Sequence, residues 1–158
     1  MLYPLLKTIH LLGIVAWVGG MFFAHVCLRP ALAGFDAPVR LEVMGATLRR
    51  FFLVVAIAAT LVVATGVALI ARASIAQWRA GIPFTMAVDW YVMTIIGFVM
   101  VGVFVHIRLV LWRRMKRAVD AGDWPSGARA LASIRRAVLV NLVLGVVVIV
   151  VTRFSGAA

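Results

Sequence analysis

Three histidines carry most of the chemistry open to this chain, and all three lie in apolar stretches: His10, His25 and His106. An ionisable side chain in a bilayer is costly and marks a functional site with a partner to be named. His10 is followed two helical turns later by Trp17 on the same face. His25 stands four residues before Arg29, and His106 two before Arg108. Met86, Met93 and Met100 recur one heptad apart, which places them on one helical face. Two imidazoles on facing helices suit the two axial positions of a haem b, with Arg29, Arg108 or Arg50 available to the propionates. Imidazole with thioether suits copper, Cu(I) above all, and His/Met is also a haem ligation. His10 with Met86, Met93 and Met100 is therefore a candidate metal site, which Asp89 could join.

The elements that must position these residues are four apolar blocks, about 5–28, 51–71, 90–111 and 137–152. A spanning helix needs roughly 20 such residues. The fourth block is shorter, but Arg135, Arg136 and Arg153 at its ends can snorkel to the interfaces. The first block reads as a span rather than a cleaved signal peptide. It is longer than a signal core, with almost no basic segment before it and no Ala-x-Ala exit after it.

Composition agrees. Of 158 residues 65% are hydrophobic and 13% charged, with a mean hydropathy of +1.13. A soluble domain is about 45–50% apolar and 25% charged. An ordinary cytosolic enzyme, a disordered chain and a disulfide scaffold are excluded. Cys27 is the single cysteine, so the chain has no intrachain disulfide and no Cys-x-x-Cys motif. No nucleophile–base pair, phosphate-binding glycine loop or carboxylate pair supports hydrolytic or nucleotide chemistry.

Sixteen Lys and Arg against five Asp and Glu give a formal charge of +11. On a membrane protein this is topology rather than a nucleic-acid surface. Arg29, Arg40, Arg49 and Arg50 separate the first two blocks, and Arg113 to Arg136 separate the last two. The richer side faces the cytoplasm, so both termini are expected outside a bacterial-type inner membrane, with anionic lipid as a partner of the basic loops. His25 and His106 then share a depth near the inner leaflet, and His10 lies near the outer one.

The two basic connections resemble each other. Gly34-Phe35-Asp36-Ala37-Pro38 and Gly122-Asp123-Trp124-Pro125 each offer a helix-ending Gly, an N-capping Asp and a first-turn Pro. The expected fold is all-α: one transmembrane domain over 1–158, a four-helix bundle of two like-oriented hairpins whose helices project into the cytoplasm around turns 34–38 and 122–125. Trp78, Phe84 and Trp90 mark an outer interfacial segment. Gly13, Ala16, Gly20 and Ala24 allow close helix approach or a homodimer, and Asn141 is a candidate interhelical hydrogen-bond partner.

Lys7-x-x-His10, Trp17-Val18-Gly19-Gly20-Met21-Phe22-Phe23 and Leu28-Arg29-Pro30-Ala31-Leu32 resemble the start of small CopD-like (copper resistance protein D) membrane proteins. Arg49-Arg50-Phe51-Phe52, Thr65-Gly66, His106-Ile107-Arg108, Asp123-Trp124-Pro125 and Ile134-Arg135-Arg136 through Asn141 to Gly145 extend the resemblance along nearly the whole chain. The resemblance implies copper uptake or handling at the inner membrane. The opening also looks like that of HemJ-type protoporphyrinogen oxidases, which implies haem b and redox chemistry with His10 as the matching histidine. Met93-Thr94 stands where that family has a lysine, and its Asn-Glu-x-Pro motif is missing.

Three functions are thus expected in order. The first is a haem b protein serving electron transfer, open to a redox partner or quinone and to oxidoreductase activity, with His25 and His106 as axial ligands and His10 next. The second is a copper-handling or copper-transport protein using His10, Met93, Met100 and Met86. The third is a cofactor-free structural or assembly protein.

Overall fold

The computed structural model describes residues 1–155. Four long helices make up almost all of them: α1 (Leu2–Ala31), α2 (Ala37–Arg79), α3 (Val88–Asp120) and α4 (Trp124–Phe154). Each is long and apolar enough to cross a membrane, and each contains one apolar block. At 1.5 Å per residue the 43 residues of α2 extend about 65 Å, over twice the roughly 30 Å of a hydrocarbon core. Much of the hairpin therefore stands beyond the lipid. Large side chains such as Leu11, Leu53 and Ile95 are more than half exposed on the bundle surface, where lipid is their solvent. The chain is a multi-pass four-helix membrane bundle.

α1 packs along α2 and α3 along α4, and the two hairpins join mainly through α4. Both short turns lie at one end, because Leu41 of α2 meets Gly127 of α4 and Gly45 of α2 meets Met115 of α3. This is the basic end. The turn chemistry expected from sequence is realised in the second hairpin. Gly122 takes φ +69, which ends α3, and the Ser126 N–H donates to Asp123 Oδ1 at 3.0 Å to cap α4. The Ser126 side chain and N–H together hold the exposed Asp123 carboxyl below its usual range. The first turn differs. Gly34 is not in the left-handed region, which only Gly81 and Gly122 occupy among the described residues. The chain leaves α1 through Leu32 at φ −96, ψ 3, and Asp36 sits at the N-cap of α2 without a side-chain bond.

Packing is tight at the basic end and loose at the other. Leu41, Met44, Met115, Leu131 and Ile134 are all nearly inaccessible. Just above them an aromatic chain crosses the bundle: Trp112 to Phe52 at 5.4 Å between ring centroids, Phe52 to Phe104 at 6.1 Å and Phe104 to Trp17 at 6.3 Å. Beyond Trp17 and Met100 the helices separate. There the 80–87 connection folds back on α2. The Gln77 amide donates to Thr85 O at 2.9 Å and accepts from Thr85 N at 2.7 Å. This holds Phe84 beside the exposed Trp78 as an interfacial pair.

Small residues set the α1–α2 spacing. A methyl built on Gly20 would stand 2.5 Å from Phe51 Cε2, and one on Gly13 would stand 2.7 Å from Val62 Cγ2 and 3.3 Å from the Ala58 carbonyl. A methyl on Gly19, one residue from Gly20, meets nothing within 4 Å. Gly20→Ala is therefore expected to be about 1–3 kcal/mol less stable than Gly19→Ala, read as thermal unfolding in the same detergent. Equal midpoints would contradict this packing.

Candidate functional site

The helices that separate above the aromatic chain enclose a cavity of about 450 Å³ at the end opposite the basic turns. All four contribute. His10 and Trp17 come from α1, Gly66 from α2, Met93, Thr94 and Met100 from α3, and Gly145 and Val148 from α4. The lining is mostly apolar with few polar groups, as in ligand cavities generally. Trp90, Met93 or Thr94, Gly97 and Met100 recur every three to four residues, so one face of α3 forms a wall.

His10 is fixed by α2. Its Nδ1 lies 2.9 Å from Thr65 Oγ1. The Thr65 hydroxyl has one proton, and its closest acceptor is the Leu61 carbonyl of its own helix. The hydroxyl therefore donates to the backbone and accepts from Nδ1–H. That assigns His10 the tautomer whose Nε2 lone pair is free, the form in which a neutral imidazole ligates a metal. Gly66 makes room for the ring: a methyl there would sit 3.4 Å from His10 Cε1. Lys7 lines the same cavity, but its ammonium is drawn one turn toward the helix start, 4.9 Å over the Tyr3 ring. Gly145 lets the backbone of α4 reach Val18 and Met100 at the cavity floor, since a methyl there would stand 2.9 Å and 3.2 Å from them.

The expected residues divide sharply. His10, Met93 and Met100 share this cavity. Met86 does not line it, because α3 begins only at Val88 and the heptad face has no helix to continue on. Asp89 is also absent from the lining.

His25 and His106 lie elsewhere and do not face each other across the core. Gly20 of α1 meets Phe51 of α2, so His25, five residues on, falls level with the Arg49–Arg50 margin rather than deep in the apolar span. Phe104 meets Phe52, which sets His106 at a similar level. The depth is thus shared as expected, but the facing is not. Phe104, Ile107, Leu111 and Met115 take the inner face of α3, leaving His106 exposed on the bundle surface. His25 is half-buried within a wide turn where the Arg29 N–H reaches back to the Ala24 carbonyl, and such a turn shifts the helical phase. The Phe52, Phe104 and Trp112 rings pack against one another in the core near this level. Arg29 and Arg108 are exposed, the latter with its guanidinium 6.0 Å over Phe52. Among the described residues no cluster of three His, Cys, Asp or Glu side chains is suited to a metal.

Sequence reading missed Thr65 as the partner of His10. Its only signal was a hydroxyl in an uncharged block, directly before a glycine.

A small helical bundle with both hairpin turns at a basic end and a soft-donor cavity at the other defines a class of multi-pass membrane protein. The chain belongs to the CopD family: the family model for copper resistance protein D matches residues 45–154. That stretch contains Thr65, Met93 and Met100, whereas His10 and His25 precede it. No curated protein and no solved structure matches the chain.

The tautomer can be read directly. Nitrogen shifts of ¹⁵N-histidine-labelled protein at neutral pH are expected to show His10 protonated at Nδ1 and bare at Nε2. Thr65→Ser should keep that pattern and Thr65→Val should lose it. A His10 protonated at Nε2 in the unaltered chain would refute the relay.

Proposed function

We propose that this chain handles copper in the membrane, taking the ion as cargo at the open end through His10, Met93 and Met100. The observation that carries this reading is that one imidazole and two methionine side chains line a single cavity, with the imidazole held by Thr65. Family membership supports it. Soft sulfur with neutral imidazole favours Cu(I) over hard cations such as Mg²⁺ or Ca²⁺. The mostly apolar lining offers an alkali or alkaline-earth ion few oxygen ligands in place of its water. Gly66 and Thr65 act by position, one giving the ring room and the other setting its tautomer.

The basic turns orient the bundle. We place them in the cytoplasm of a bacterial-type inner membrane, so that the cavity opens outward and both termini are external. Copper would then meet the protein first from the outside. A reporter fused after Ala158 is expected to be active outside the cytoplasm, and cytoplasmic activity would reverse the orientation.

The binding test uses the full chain in detergent, loaded anaerobically with Cu(I). One copper per chain is expected by elemental analysis, in a preparation without a Soret band. Thr65→Val should weaken binding by about 10–100-fold, as loss of a ligand's hydrogen-bond partner does. His10→Ala and the double substitution Met93→Leu with Met100→Leu should cost at least as much, and Met86→Leu should cost little. A Soret band lost in His25→Ala or His106→Ala would replace copper with haem b. A colourless, metal-free but folded protein would leave a structural role.

A further inference from the structure

The donors of the open-end cavity are neutral, and the charge around them is positive. Among the described residues the lining holds Lys7 and no Asp or Glu. The surroundings repeat this sign. Arg72 and Arg79 lie toward the end of α2 and Arg153 at the end of α4, so further cations stand at the open end. Asp89 is the single acidic side chain there, because Asp36, Glu42, Asp120 and Asp123 lie at or near the basic turns.

A bare Cu(I) ion held by neutral imidazole and thioether keeps its whole charge. In a mostly apolar cavity that charge is partly desolvated and uncompensated, and a lysine in the same lining adds repulsion. A soft anion bound to the copper removes both difficulties. It makes the cargo neutral, and it turns Lys7 from a repelling neighbour into a counterion. The room exists, since a cavity of about 450 Å³ is far larger than one metal ion. Lys7 is also in reach. It precedes His10 by three residues on one face of α1, and its flexible stem can swing the ammonium from the Tyr3 ring over the cavity.

We propose, on the copper reading of this cavity, that its cargo is Cu(I) carrying one halide, with Lys7 as counterion to that halide. The anionic dihalocuprate, CuX₂⁻, is the form drawn to an electropositive mouth. On entry one X⁻ leaves to the water as protein donors take its place on the metal, and the other X⁻ stays. The complex passes from anionic to neutral, and copper remains Cu(I) throughout.

The experiment loads the full chain in detergent anaerobically with Cu(I), delivered as its acetonitrile complex, in sodium bromide or in sodium methanesulfonate of equal ionic strength. Free ions are removed by gel filtration, and copper and bromide are counted by X-ray fluorescence. In bromide, one bromide per copper is expected, with none retained when copper is left out. In methanesulfonate the copper needed for half-loading should rise about tenfold, because the charge is then unpaired. Lys7→Gln should raise the bromide needed for half-loading about threefold, as loss of an exposed charge pair does. Lys7→Glu supplies the negative charge from the protein, so loading should become equal in the two salts without retained bromide. Lys7 is exposed near the start of α1, and neither substitution disturbs the core. Copper that loads equally well in both salts and carries no bromide would overturn the halide-bound cargo and leave copper handling intact. Bromide retained equally without copper would reduce Lys7 to a simple anion site and also overturn it. A folded chain that takes up copper in neither salt would overturn the copper reading itself and this cargo with it.

Discussion

The close contact of α1 with α2 sets the register on which the site depends. Gly20 against Phe51 and Gly13 against Val62 and Ala58 bring the two backbones together where a side chain would hold them apart. The same register, carried three residues from Gly13 toward the start of α1, delivers His10 to Thr65 and Gly66. A slip along α2 would take the ring from its only hydroxyl partner in the described residues and turn Nε2 elsewhere. Within lipid, where apolar surface gives helices little reason to associate, such close packing and the interhelical hydrogen bond are the main cohesive forces available.

The second constraint is the unequal packing of the two ends. The aromatic chain from Trp112 to Trp17 closes the core near the basic end, and above it the helices diverge. Asn141 lies within the packed region, buried with its Oδ1 unpartnered. It does not serve as the interhelical acceptor that its position suggested. Tight packing below and space above make the cavity a dead end. The cavity ends on a floor where Gly145 meets Val18 and Met100, at the level of Trp17. Movement past that floor would require the bundle to repack.

Much of the fold was legible in the sequence. The four apolar blocks, the two Asp-x-Pro turns and the Lys/Arg asymmetry specify two hairpins with their turns together, and the helices follow. The Gly and Ala row on α1 likewise announced a close contact. The site was legible only in part. Heptad spacing correctly put Met93 and Met100 on one face, but it continued to Met86 because nothing in the residues fixed the helix start at Val88. Helix contacts put His25 and His106 at a similar level of the bundle. Facing could not be read from the residues, because it depends on helical phase. On α3 that phase gives the interior to Phe104 and Ile107, and wide turns at Ala24–Leu28 of α1 and Ile107–Leu111 of α3 alter it. Thr65 escaped notice because the fold, not sequence distance, brings it to His10 from 55 residues away.

The central claim is that copper sits between one imidazole and two thioethers at the open end. X-ray absorption of the Cu(I)-loaded protein tests it most directly, because sulfur and nitrogen scatterers differ in distance and strength. The account predicts a mixed shell of sulfur with one imidazole, losing sulfur in Met93→Leu and in Met100→Leu and losing the imidazole in His10→Ala. A shell of nitrogen and oxygen alone, unchanged by either methionine substitution, would contradict it.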